Sequence, residues 1–178
     1  MANNSEIQVI NKELVNVPLK FNLLEDEDIE QANVVFDAMR QYVKRYLVEK
    51  IDYGTIPYCG NKDVLFKAGA EKLIRLFKLR PTFDLIDKIV DYDKELFHYH
   101  YHYHYRCSLY RYGDLVGQCD GIANNKEKKF TRVDKSTGKM NDFSVVNTVC
   151  KMAQKRSLVG SVLIVCGASE YFTQDLED

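Results

Sequence analysis

Residues 82–121 read TFDLIDKIVDYDKELFHYHYHYHYRCSLYRYGDLVGQCDG, and across them the hydrophobic period is two, the period of a strand. Phe83, Leu85 and Ile89 predict a first strand, with Asp91-Tyr92-Asp93-Lys94 as its turn. Glu95 to Arg111 predicts a second. At ~3.4 Å per residue it would reach about 55 Å, so it must bend, bulge or project beyond a core. Tyr112-Gly113-Asp114 predicts a three-residue hairpin loop, and Leu115 to Gly121 the third strand. Within the second strand, alternation places His98, His100, His102 and His104 on one face and Tyr99, Tyr101, Tyr103 and Tyr105 on the other.

Helical periods flank this meander. Asp26 or Asp28 starts a helix running to about Lys50, with Ile29, Ala32, Val35, Phe36, Met39, Tyr42, Val43 and Leu47 on one face and acidic residues in its first turn. Asp52-Tyr53-Gly54 ends it. A second helix is expected from Ala68 to Leu79, stopped by Pro81. Beyond the meander, a long helix begins at Asn141 or Asp142 and ends near Cys166, with Gly167 at C′. The expected organisation is one domain over 1–178: a possible arm or short strand in 1–22, a helical part in 23–81, the meander in 82–121, a basic loop in 122–141, the long helix in 142–166 and an acidic tail in 167–178. The fold class is α+β, an antiparallel β-meander with helices on one face and a β-β-β-α core.

Composition narrows the partners. The 178 residues carry a net charge of -1, so any nucleic-acid site must be a local patch. Five cysteines without a CxxC pair fit reduced thiols in the cytoplasm. The N-terminus has no signal-peptide pattern, and the most apolar run, Ser157 to Gly167, is too short to span a bilayer, so no membrane partner is expected.

The patch is found on the long helix. Asn147, Lys151 and Lys155 recur at i, i+4, i+8 and make one polar line, flanked by Gln154 and Arg156, and no acidic residue lies between Ser144 and Ser169. Cations without anions suit phosphate contacts, which require positive donors and no base-edge geometry. Just before the helix, 126–139 holds six lysines and arginines against Glu127 and Asp134, with Phe130 embedded among them. Charges that follow a backbone and an aromatic that stacks a base are what a flexible strand needs. A solvated basic face is the bland alternative. The His run offers i, i+2 pairs that could chelate zinc, but a third ligand is not near in sequence, and no metal or other cofactor is expected. No GxSxG, HExxH or Walker motif commits the chain to catalysis, so it is not expected to be an enzyme.

Four segments, DYGTIP (52–57), KAGAEKL (67–73), NTVCKMAQKR (147–156) and FTQDLED (172–178), resemble a family of phage and bacterial proteins of single-strand annealing recombination. The order of helix, meander and Lys-Arg helix is similar to the Rad-type annealing superfamily. The resemblance covers about residues 50–178 and implies a homo-oligomeric ring or filament holding single-stranded DNA, with RNA as an open alternative, and a host or phage recombination partner. It implies that Lys155-Arg156 touches the DNA backbone. Two features depart from it: 121–141 is short and Cys-free, and the His-Tyr run is foreign to the family. The expected function is DNA binding and annealing in recombination and repair, through Asn147, Lys151, Lys155 and Arg156, with Lys126, Lys128, Lys129 and Arg132 as a second layer. The rival readings are a protein-interaction module with an acidic tail and a metalloenzyme built on the His strand.

Overall fold

The computed structural model describes residues 26–56, 62–94, 98–127, 129–130 and 142–173. The expected strand within 6–10, most of the basic loop and the last five residues lie outside these. The chain divides into two compact units, Met1–Val43 and Lys44–Asp178.

Of the first unit, the described part is α1 (Asp26–Tyr46) as far as Val43, with Asp26, Glu27 and Asp28 in its first turn. Ile29, Val35 and Phe36 are exposed, and Met39 is buried. The helix ends at Tyr46, four residues before the expected end, because Asp52 folds back. Its Oδ2 accepts from the Val48 amide at 2.8 Å, and Lys50 takes a positive φ of 67°.

In the second unit, Asp52 is fully buried and also accepts from Lys72 Nζ, while its carbonyl accepts from the Phe66 amide. β1 (Tyr53–Gly54) pairs with β2 (Val64–Leu65), and α2 (Lys67–Leu76) follows directly. A Cβ on Gly69 would lie 2.4 Å from the Asp52 carbonyl oxygen, so α2 sits on the 48–52 turn. The DYGTIP and KAGAEKL segments are thus partners in one contact. Thr173 bridges Val64, and buried Phe172 packs on Tyr53 at 5.3 Å, which ties the chain back onto β2.

The meander consists of β3 (Arg80–Asp93), β4 (His98–Arg111) and β5 (Asp114–Asn124), antiparallel in the order β3-β4-β5. The fold is mixed α+β. Asp91, Tyr92 and Asp93 pair with His100, Tyr99 and His98, so they extend β3 where a turn was expected. A register shift between Leu85 and Asp87 marks a bulge on β3. The β4–β5 loop is two residues, one shorter than expected. Tyr112 (φ 53°) and Gly113 (φ 100°) both take left-handed backbone, and Arg111 pairs directly with Asp114.

α3 (Asp142–Val165) packs on one face of β4 and β5. On β4 that face carries Tyr101, Tyr103, Cys107 and Leu109, all buried, and on β5 it carries Ala123, Gly121, Cys119 and Gly117 opposite β4 positions 103, 105, 107 and 109. Bulk on one strand faces small residues on the next, and α3 lies over the small ones. Val149, Ala153, Val159 and Val162 seal the contact with no exposed surface. No described helix is long and apolar enough to cross a membrane.

The His side is the outer face. Asn125, nearly buried, extends the ladder past the end of β5: its Oδ1 accepts from the Tyr101 amide and lies 2.9 Å from His100 Nδ1, and its Nδ2 donates to the Tyr99 carbonyl. Further along, Arg106 donates twice to Asp120, at 2.7 and 3.0 Å, and His104 Nε2 is 3.0 Å from the same carboxylate. The Arg106 hydrogen bonds hold the Asp120 carboxyl down to about 2, burial opposes them, and His104 adds to them. Its folded value lies below its unfolded one, so this contribution is present above about pH 4 and is lost as pH falls to and through about 2. Asp120→Asn is expected to lower the urea midpoint at pH 6 by a few tenths of a molar at most, because solvent screens an exposed pair. The difference from wild type should shrink steadily from about pH 4 to about pH 2, and a difference that stays constant over that range would contradict the assignment.

Candidate nucleic-acid interface

The i, i+4, i+8 line of α3 opens onto a cleft of about 780 Å³ between α2, the start of β3 and α3. Asn147, Lys151, Gln154 and Lys155 form one wall, Lys67, Glu71, Ile74 and Arg75 the other, and Pro81 and Phe83 the floor. The α2 wall repeats the spacing of the α3 wall, since Lys67, Glu71 and Arg75 also lie at i, i+4, i+8. Glu71 is the cleft's carboxylate, and it is paired with Lys67 at 3.3 Å. Among the described residues, Arg75, Lys151 and Lys155 have no carboxylate within ion-pair distance. Three cations with no carboxylate partner among the described residues therefore face one cavity.

Lys155 is the most constrained of them. It is half-buried, and its ammonium lies 6.0 Å from the Phe66 ring centroid. Burial first, then the positive charges of Lys129 and Arg156, pull its pKa below the ordinary lysine range. A lysine lowered in the folded state costs stability at neutral pH, and the cost is relieved only as pH rises through the folded value toward the unfolded one. Lys155→Met is therefore expected to raise the Tm of the free protein by about 2 °C. The gain is modest because solvent screens a half-exposed charge, and 1 kcal/mol moves a domain of this size by roughly 2–4 °C. The same variant should bind polyanions more weakly, and a lower Tm would contradict the electrostatic account.

Arg156 is placed elsewhere. Its guanidinium grips Glu127 through two hydrogen bonds of 2.8 Å and donates to the Ile122 carbonyl. Burial pushes the Glu127 carboxyl up, but hydrogen bonds from Arg156 and Lys129 outweigh it and leave the group below its usual range. The helix's missing anion thus arrives from the loop, and Arg156 locks that loop to the end of β5. Lys129 joins the cluster at 3.1 Å from Glu127 and sits over the Phe130 ring. Phe130, the aromatic expected to stack a base, is 8% exposed and packs with Tyr101 and Tyr103, so its ring belongs to the core. Lys126 is exposed, with its amide on Asn124 Oδ1. Lys128 and Arg132 lie outside the described residues.

Of the expected site residues, the structure brings Asn147, Lys151 and Lys155 together and adds Lys67 and Arg75, which sequence reasoning missed. The repeated spacing on α2 was the available signal. The His run gathers no metal site: among the described residues no group of three or more His, Cys, Asp or Glu converges. No family model, curated protein or solved structure matches the chain.

Proposed function

We propose that this protein binds single-stranded DNA in the cleft between α2 and α3 and, as a homo-oligomer, promotes annealing of complementary strands in recombination and repair. The observation that carries this proposal is the convergence of Arg75, Lys151 and Lys155 on one cavity in which, among the described residues, no free carboxylate faces them. Phosphates supply the missing negative charge, and a strand threading between two helices presents one every few ångströms. Binding and pairing need no hydrolysis, so the protein works without an enzymatic step. β3 and β5 are the edges of the described sheet and supply surfaces for assembly. The free thiols of Cys107, Cys119, Cys150 and Cys166 fit a reducing, cytoplasmic setting.

The test is anisotropy titration of a labelled 30-mer oligonucleotide as single strand, as duplex and as its RNA counterpart, with annealing followed on complementary strands. Expected are tighter binding of the single strand than of the duplex, steep weakening with salt, and accelerated annealing. Absence of single-strand binding at 50 mM salt would overturn the proposal.

A further inference from the structure

α3 covers β4 and β5 but stops short of β3. Register places Phe83, Leu85, Lys88, Val90 and Tyr92 on the helix side of β3, opposite Cys107, Tyr105, Tyr103, Tyr101 and Tyr99. The strand-4 partners are largely covered, whereas Phe83, Leu85, Val90 and Tyr92 remain 40%, 49%, 46% and 42% exposed. With exposed Lys88 between Leu85 and Val90, they form a mostly apolar shelf running alongside α3. Phe83 is also the floor of the cationic cleft, so shelf and cleft are continuous. At its far end the Tyr92 ring leans on Tyr99 at 5.0 Å, which holds it in place.

We propose that shelf and cleft form one track in which the bases of an unpaired strand lie on Phe83, Leu85, Val90 and Tyr92 while its phosphates meet Arg75, Lys151 and Lys155. This deepens the binding proposed above and rests on it. The chemistry is matched on both sides. A polynucleotide is the ligand that presents flat apolar faces and a row of negative charges a few ångströms apart, and aromatic floors beside cations hold such strands. The nine steps from Phe83 to Tyr92 span about 30 Å, enough for a short stretch of roughly four or more nucleotides. An apolar protein surface seated here would bury three cations to which the described residues offer no counter-charge, which is costly. In a duplex the base faces are stacked inside and cannot reach the floor, so the shelf is where single strands are told from double.

The inference is tested with the full chain and an oligonucleotide carrying 2-aminopurine. Phe83→Ala is expected to weaken single-strand binding roughly 10-fold, to leave the salt slope unchanged because no charge is removed, and to abolish the emission change of the bound probe base. Phe83→Trp, which restores a ring, should recover both signals, so a folding defect in the alanine variant would not hide the answer. If Phe83→Ala binds like wild type while Lys151→Ala does not, the shelf is wrong and the cationic cleft stands. If wild type binds no single strand at all, the underlying proposal fails instead. If Phe83→Ala and Tyr92→Ala change the oligomeric state in light scattering but not the affinity, the shelf is a contact between copies and the inference is overturned.

Discussion

Gly121→Ala is expected to destabilise the second unit by about 3 kcal/mol or more, enough to consume much of a typical domain's stability. A Cβ at this position would lie 2.3 Å from the Ser157 amide nitrogen, 2.4 Å from the Ala153 carbonyl oxygen and 3.0 Å from the Arg156 carbonyl carbon. All three are main-chain atoms of α3, so no rotamer change relieves the clash. The helix would have to retreat by about 1 Å along its contact with β5, opening gaps beneath Val149 and Val159 that water cannot fill favourably. Gly117→Ala is the matched control. Its Cβ would meet Val165 Cγ2 at 2.4 Å, a side-chain atom near the helix end that can turn away. A loss below about 1.5 kcal/mol is expected there. Urea melts of the two variants decide the matter, and equal losses would show that main-chain contact is not what makes position 121 intolerant.

The second large effect is on binding. Removing Arg75, Lys151 and Lys155 together, each to Ala, is expected to reduce the slope of log K against log[salt] by about 2, since each phosphate contact on a single strand contributes about 0.7. The same relation gives an affinity loss of several hundred-fold at 50 mM salt. Arg156→Ala should behave differently. It frees Glu127 and the loop that Glu127 holds, so its main expected signature is lost stability. Anisotropy titrations at three salt concentrations separate the cases. An unchanged slope in the triple variant would remove these cations from the interface.

These contrasts show what the sequence made legible. The meander could be read because His98 to Tyr105 alternates strictly and the flanking stretches largely follow a period of two, and alternation depends only on the pleat. The end of β3 could not: Asp91-Tyr92-Asp93 has turn chemistry, and only pairing with His98 to His100 makes it strand. The α3 polar line was visible because Asn147, Lys151 and Lys155 are four residues apart. Its opposite wall was not, since α2 was judged by its apolar face alone. Arg156 looked unopposed because its carboxylate partner is 29 residues away, across a loop. Phe130 looked available for the same reason, as the tyrosines that bury it come from a strand far back in the chain.

The column Gly117, Cys119, Gly121 and Ala123 has a meaning beyond close packing. A helix resting on side chains can roll slightly as those side chains change rotamer. A helix whose own main chain touches a strand at position 121 has no such play. Successive residues on a helix point about 100° apart, so one residue's worth of roll would swing Lys155 out of the cleft toward the direction Arg156 now takes. The aim of the cations is therefore written on β5, in the atoms that Gly121 lacks.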